Sequence, residues 1–251
     1  MKNRIFSTDS AKAIKAQSHG YLNAIQYLAP ASLSGWDVCP HSTEACRAAC
    51  LGWFSGQASM VANLEKDLNS VRRSRLEKTR RFMKERREYM RDVVKAIELI
   101  VKQAHKKGLI PAIRLNGSSD IAFEGIACER DGAPYKNLMD AFPGVQFIDY
   151  TKNAKRLLRD LPANYHLTLS HTGENIGDCF EALYHGKNVA VVFDALPETF
   201  HGFPVIDGDK HDLRHLDPKS VVVGLLPKGS KAKKDQSGFV VRRVADLATA
   251  A

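Results

Sequence analysis

Six short apolar runs, each closing on small or polar residues, constrain this chain more than any other feature. LIPAIRL (109–115) runs into Asn116-Gly117-Ser118-Ser119-Asp120, and VQFID (145–149) into Tyr150-Thr151-Lys152-Asn153. YHLTL (165–169) runs into Ser170-His171-Thr172-Gly173-Glu174-Asn175, and VAVVF (189–193) into Asp194. PVID (204–207) meets Gly208-Asp209, and SVVVGLL (220–226) meets Pro227-Lys228-Gly229. Runs of this length, rich in Val and Ile and apolar on both faces, are the pattern of parallel strands covered by helices. Helical patterns at 134–141, 153–160 and 175–185 lie between several of them, and AIQYLAP (24–30) reads as an earlier, first strand.

This alternation predicts an α/β fold with a mostly parallel sheet, rolled into a partial, TIM-like barrel. The 251 residues suit one core, since single cores stop growing near ~250–300 residues. We read 1–251 as a single domain: an N-terminal arm (1–20), a Cys loop (36–56), a basic helical segment (57–107), a sheet-rich part (109–230) and a C-terminal segment (228–251). In such folds functional groups collect at the C-terminal ends of the strands. The candidate pocket there is Arg114, Asn116, Ser118, Ser119, Asp120, Tyr150, Lys152, Ser170, His171, Glu174 and Asn175. Lys152, His171, Glu174 and Asp120 are the candidate catalytic groups, with His171 or Glu174 suited to moving protons. Arg114, Asn116, Ser118, Ser119 and Asn175 are candidate cofactor contacts, and Lys152 or Arg114 suits an anionic substrate. Turn and helix-cap chemistry also uses Asn, Ser and Asp, so Asp120 and Asp194 could serve as caps alone; Lys152 and His171 are not cap residues.

The net charge of +9 is local. Residues 72–107 carry 14 Lys and Arg against five Asp and Glu, an excess equal to that of the whole chain. Apolar residues recur there at steps of three and four, from Leu64 and Leu68 through Val71, Leu76, Phe82, Tyr89, Val93, Ile97 and Ile100, which predicts one long amphipathic helix. A break is allowed at Asn69-Ser70, and Gly108 ends the helix behind Lys106 and Lys107. Its cations read either as a solvated outer face or as a phosphate-binding face for nucleic acid. A second basic stretch, KGSKAKK (228–234), reads as a mobile loop. No run of ~18 uncharged apolar residues is present, so no membrane-spanning helix is expected. The first residues lack the apolar centre of a signal peptide, which predicts a cytoplasmic protein.

Three of the five cysteines fall in twelve residues, Cys39-Pro-His-Ser-Thr-Glu-Ala-Cys46-Arg-Ala-Ala-Cys50, a C-x6-C-x3-C spacing. In a reducing compartment such a cluster points to metal or catalysis rather than disulfides. Structural zinc commonly takes four ligands. Three clustered thiolates suit one [4Fe–4S] cluster with its fourth iron open. We therefore expect Cys39, Cys46 and Cys50 to hold such a cluster, with zinc and free thiols as the competing readings and His41 as a further ligand candidate. Trp36, Trp53 and Phe54 flank the loop and could shield it from water, while Cys128 and Cys179 read as buried apolar residues.

A Cys loop between a first strand and a long helix resembles the radical S-adenosylmethionine (SAM) enzymes, in which three Cys after the first strand of a partial barrel hold a [4Fe–4S] cluster. That resemblance implies Cys39, Cys46 and Cys50 as ligands and SAM as a candidate ligand of the open iron. The usual spacing in those enzymes is C-x3-C-x2-C with an aromatic before the last Cys; here Ala49 stands there, and their glycine-rich strip is echoed only by Asn116-Gly117-Ser118-Ser119-Asp120. The stretches CPHSTEACRAACLG, PAIRLNGSSDIAFE, FPGVQFIDYTKN, LTLSHTGEN and NVAVVFDA resemble a phage-encoded family, Gene product 88, over roughly residues 20–230. This second resemblance implies a phage origin and action in a bacterial cytoplasm, without naming a reaction. Three functions are compatible with the sequence: an iron–sulfur enzyme acting on a small anionic substrate or SAM; a nucleic-acid-binding phage protein with a structural metal; and a redox or regulatory iron–sulfur protein without turnover.

Overall fold

The computed structural model describes residues 4–242; the end of the 228–251 segment lies outside the described residues. The strands are β1 (Phe6–Ser7), β2 (Tyr21–Gln26), β3 (Ile110–Arg114), β4 (Cys128–Arg130), β5 (Ala133–Tyr135), β6 (Gln146–Thr151), β7 (Tyr165–Ser170), β8 (Val189–Phe193), β9 (Thr199–Phe200), β10 (Phe203–Asp207), β11 (Val222–Leu225) and β12 (Val240–Val241). One sheet runs in the order β1-β2-β3-β6-β7-β8-β11-β10-β9, with β12 added on β8. From β2 to β10 every neighbouring pair is parallel. The edge strands β1 and β9 pair antiparallel, each with its inner neighbour. The mostly parallel α/β sheet expected from the apolar runs is therefore present. Among the described residues its two edges do not meet in a closed barrel.

Alternation along the strands sorts the two faces. Leu22 and Ala24 of β2, Ile113 of β3, Phe147 of β6, Leu167 and Leu169 of β7, and Val189 and Val191 of β8 point to the helical side and form the main core. The opposite face is more polar. There Ala112 and Ile148 pack with Ala16 and Leu213, and Arg114, Tyr150, His166 and Thr168 take the inward positions in between.

The predicted long helix is two helices, Ser70–Lys84 and Arg86–Lys106, broken at Glu85. It starts at Ser70, where the Asn69 side chain accepts the Arg72 N–H as an N-cap, so Leu64 and Leu68 lie before it in irregular chain. No Pro or Gly causes the break. Ion pairs clamp it instead: Arg80 to Glu85 at 2.8 Å, and Arg81 across the joint to Asp92 at 2.7 Å.

The second helix buries the apolar stripe that its spacing predicts: Tyr89, Met90, Val93, Val94, Ile97, Ile100 and Ala104. The first helix departs from expectation, because its buried face is Arg72, Arg75, Lys78, Thr79 and Phe82. Three cations of the basic segment thus point inward rather than outward. Two smaller expectations also change. The 134–141 pattern yields a helix only at Leu138–Ala141, because Ala133–Tyr135 pairs with Cys128–Arg130 as a hairpin. The KGSKAKK stretch is a short helix, Gly229–Lys233, packed on the Cys loop rather than a free loop. Gly229 permits that packing: its φ is +82°, and a Cβ there would lie 2.2 Å from the Phe54 carbonyl oxygen.

Candidate metal and ligand site

The Cys loop leaves the C-terminal end of β2 and lies over the ends of β3, β6 and β7. Thr43 caps the Glu44–Ala48 helix by accepting the Cys46 N–H, and its hydroxyl donates to the Thr172 carbonyl after β7. Asp120 N–H donates to the Val38 carbonyl, which ties the loop to the chain after β3. Cys39 lies before the Glu44–Ala48 helix, Cys46 within it, and Cys50 at the start of the Leu51–Phe54 helix.

The three sulfurs form one electrostatic unit. Burial pushes each thiol up from its ordinary pKa, and neighbouring sulfurs add to the rise: Cys46 acts on Cys39, Cys50 on Cys46, and Cys39 on Cys50. The common opposing charge is Lys152, at the end of β6, which favours the thiolate at all three positions. Reciprocally, burial opposes the lysine's charge, but Cys39, Cys46, Asp120 and Cys50 outweigh it and hold Lys152 above the usual lysine value. Lys152 is thus a cation whose charge acts on all three thiols. Around Cys50 the backbone is close: the Gly52 N–H favours its thiolate, and a Cβ on Gly52 would meet that sulfur at 3.5 Å and Ser118 Cβ at 2.8 Å.

The other candidate residues divide into two groups. Asp120 is buried and bonded on all sides. It accepts the Lys152 N–H at 2.7 Å and pairs with Arg156 Nη1 at 2.9 Å. Asn116 holds Asp149 through two bonds of 2.7 and 3.1 Å, and Ser119 donates to Asn116. Ser118 donates to the Leu28 carbonyl, and Asn175 donates to the Ser170 carbonyl and accepts from Thr172. These side chains brace the rim. Arg114 faces the polar side of the sheet, pairing with Asp212 at 3.1 Å and stacking on the Tyr150 ring. His171 is buried with Nδ1 unpartnered, and burial followed by the charge of His201 lowers its pKa. Glu174 is exposed at the loop tip. His41 is exposed, its Nε2 3.1 Å from Asn153 Nδ2, and lines a cavity of about 290 Å³ with Val38, Pro40, Phe82 and Arg86. Cys128 and Cys179 are buried, as expected of apolar residues.

Sequence reasoning missed two sets of residues. The first is a buried network under the rim, Asp149, Arg156, Glu124 and Tyr165. Arg156 there binds Glu124 at 2.5 Å and Asp120 at 2.9 Å, and Tyr165 donates to Asp149 at 3.0 Å. Burial raises the Asp149 carboxyl to about 6 against those bonds. The second set is Arg72 and Arg75. Their spacing of three, continued by Lys78, was the available signal that they share one helix face.

Among the described residues no three His, Cys, Asp or Glu side chains close to the spacing of a single-ion site. A cubane binds each thiolate through a different iron, so its ligands stand wider apart than those around one ion. Among the described residues, too, no helix is long and apolar enough to cross a membrane.

Fold and site together define a class: a mostly parallel α/β protein whose strand ends are capped by a three-thiol loop built around a lysine. Within that class the chain belongs to the Gene product 88 family, which it matches over residues 4–243. No curated protein and no solved structure matches it.

Proposed function

We propose that the protein is an iron–sulfur protein in which Cys39, Cys46 and Cys50 hold a [4Fe–4S] cluster with an open fourth iron. The three locally spaced thiols, all under the influence of the Lys152 charge, carry this reading. Three half-buried thiols influenced by one lysine, with the Gly52 backbone packed close beside Cys50, support it. When bound, such a cluster supplies a Lewis-acidic iron or an electron. The chain's own groups would do the rest. Lys152 would hold an anionic substrate or the carboxylate of SAM against the site, while Arg114, paired with Asp212, would be the second cation at the strand ends. His171, buried and favoured neutral, is suited to accept a proton.

The reading includes a sheet curled into a partial barrel. Sequential parallel neighbours from β2 to β8, with the principal helices on one face, support it, because successive right-handed crossovers bend a sheet around its other face. It also places the protein in the cytoplasm of a phage-infected bacterium.

Anaerobic purification followed by iron and sulfide analysis tests the proposal. The expected result is a brown protein absorbing near ~400 nm, the thiolate-to-iron charge-transfer region. Alanine at any of the three Cys should abolish that colour. Colourless wild-type protein carrying stoichiometric zinc would overturn the cluster.

A further inference from the structure

We propose that Arg75 is a positioning residue of the thiol site, holding the Cys50–Gly52 turn and supplying the positive charge that a trithiolate–metal complex needs. The inference rests on the metal-binding reading of the three Cys, but on observations of its own. Arg75 is more than nine-tenths buried. Its Nη1 donates to the Gly52 carbonyl at 2.5 Å, and the backbone N–H of that same glycine favours the Cys50 thiolate. Its guanidinium stacks on Tyr27, at the end of β2, with 4.7 Å to the ring centroid. One side chain therefore joins the Ser70–Lys84 helix, the Cys loop and the sheet at the residue that carries the third thiol.

The charge is the unusual part. A buried cation is costly unless paired. Among the described residues no carboxylate pairs with Arg75. The charges that favour it are Tyr27 and Cys50, while Arg72 disfavours it. Lys152 supplies a second cation acting on the sulfurs, and the nearby carboxylate, Asp120, is already bound to Arg156. The surroundings of the thiols are thus arranged for a negatively charged occupant. Three thiolates on a cubane give a complex of that sign. Groups in the outer shell of a metal site that orient a ligand or tune its charge typically change metal affinity 10–100-fold when removed.

The test reconstitutes the full-length reduced, metal-free chain anaerobically with iron and sulfide and challenges the loaded chain with a chromophoric iron chelator. A second arm measures the midpoint potential of the loaded chain. Arg75→Gln should weaken iron retention at least tenfold and shift the potential to a more negative value, since loss of a cation disfavours the reduced state. Arg75→Lys, which keeps the charge, should recover most of both. Circular dichroism melts of each metal-free variant separate these effects from a folding defect; if Arg75→Gln does not fold, Arg75→Lys against wild type decides, since a charge role predicts that it keeps iron retention and potential near the wild-type values. A purely structural arginine predicts that Lys fails as badly as Gln, or that folded Arg75→Gln retains iron like wild type; either result overturns the role of Arg75. A wild-type chain that takes up no iron overturns the reading of the thiols themselves, a separate and recognisable outcome.

Discussion

Ser70–Lys84 and Arg86–Lys106 are adjacent basic helices, and they turn opposite chemistry inward. The second follows the familiar rule, burying a stripe of Tyr, Met, Val and Ile while its Lys and Arg face water. The first buries Arg72, Arg75 and Lys78 and leaves Leu68, just before it, and Val71 more accessible. What they pack against explains the difference. Arg86–Lys106 covers the apolar face of β2, β3 and the β4 hairpin. Ser70–Lys84 backs the Cys loop, a stretch of short helices and turns whose carbonyls have no regular partners. Irregular backbone needs donors, and Arg provides five. Arg72 shows the principle. It is fully buried, donates to the carbonyls of Ala58, Asp67, Trp53 and Leu64, and stacks on the Trp53 ring.

The largest effect expected from this contrast is therefore at a charged residue. Arg72→Met removes the common donor of four carbonyls, buried or partly so, and should cost roughly 4 kcal/mol, since each buried acceptor left unpaired costs on the order of 1–3 kcal/mol. Ile97→Ala, in the apolar stripe of the second helix, should cost roughly 3 kcal/mol through lost burial and a cavity. Urea melts give both values. The two variants should also differ in kind: Arg72→Met releases the Cys loop and lowers metal uptake, whereas folded Ile97→Ala keeps it. Equal metal uptake in both folded variants would break the comparison.

Lys78 sharpens it with the opposite sign. Its one described hydrogen bond is a 3.3 Å contact to the Ile5 carbonyl, and burial, then Arg75, lowers its pKa to about 8. The unfolded chain has the ordinary value, so the folded state resists the charged form at neutral pH. At 1.36 kcal/mol per pKa unit that resistance is on the order of 3 kcal/mol. Lys78→Met should therefore stabilise the protein, by about 2 kcal/mol at pH 7 once the lost hydrogen bond is subtracted. The unfolded lysine holds its proton between about pH 8 and the ordinary lysine value while the folded one has lost it, so wild-type stability from this group rises across that window. The advantage of Lys78→Met should fade over the same range. Melts at pH 7 and above pH 10 check it; a variant less stable at both values would show that Lys78 has a partner the present contacts do not supply.

The helix contrast also shows where the sequence was readable. Periodic patterns with one physical cause came through. VAVVF is β8 residue for residue, and the 175–185 pattern is the Ile176–Tyr184 helix, because apolar spacing alone determines which face is buried. The three Cys stand out as candidates because their spacing is local, and Lys152 because a lysine at a strand end has no turn or cap role. What stayed hidden depends on partners far along the chain. Arg156 reaches Glu124 and Asp120 across 32 and 36 residues, and Asp149 meets Asn116 across 33. No periodicity announces such pairs. The β4–β5 hairpin was hidden for another reason: its three-residue strands are too short to alternate recognisably, and one contains Pro134. The inward turn of Arg72, Arg75 and Lys78 was concealed by the assumption that charge marks the surface, which holds only where the neighbouring backbone is already satisfied.

The smallest effect is expected on the outer face of the second helix, and it decides whether the remaining charge has a partner. Arg87 and Arg91 both reach Glu129, at 2.8 and 3.5 Å, and all three side chains are well exposed. Exposed pairs of this kind contribute little, so replacing both arginines with Gln should leave the melting midpoint unchanged. A nucleic-acid interface on this face would behave differently. It would bind duplex or single-stranded probes at low salt, and losing two phosphate contacts would lower the slope of log K against log salt by about 2. The structure argues for the first outcome, because the strongest cations of the basic segment are already engaged. Arg72 and Arg75 are bound to carbonyls and aromatic rings, Arg80 and Arg81 to Glu77, Glu85 and Asp92, and the aromatics Phe82 and Tyr89 are buried in the core rather than offered to bases. Fluorescence anisotropy across a salt titration should show no binding by the wild type and no change in the double variant. Tight, salt-sensitive binding lost on the Gln substitutions would move the function from the thiol loop to the helix behind it.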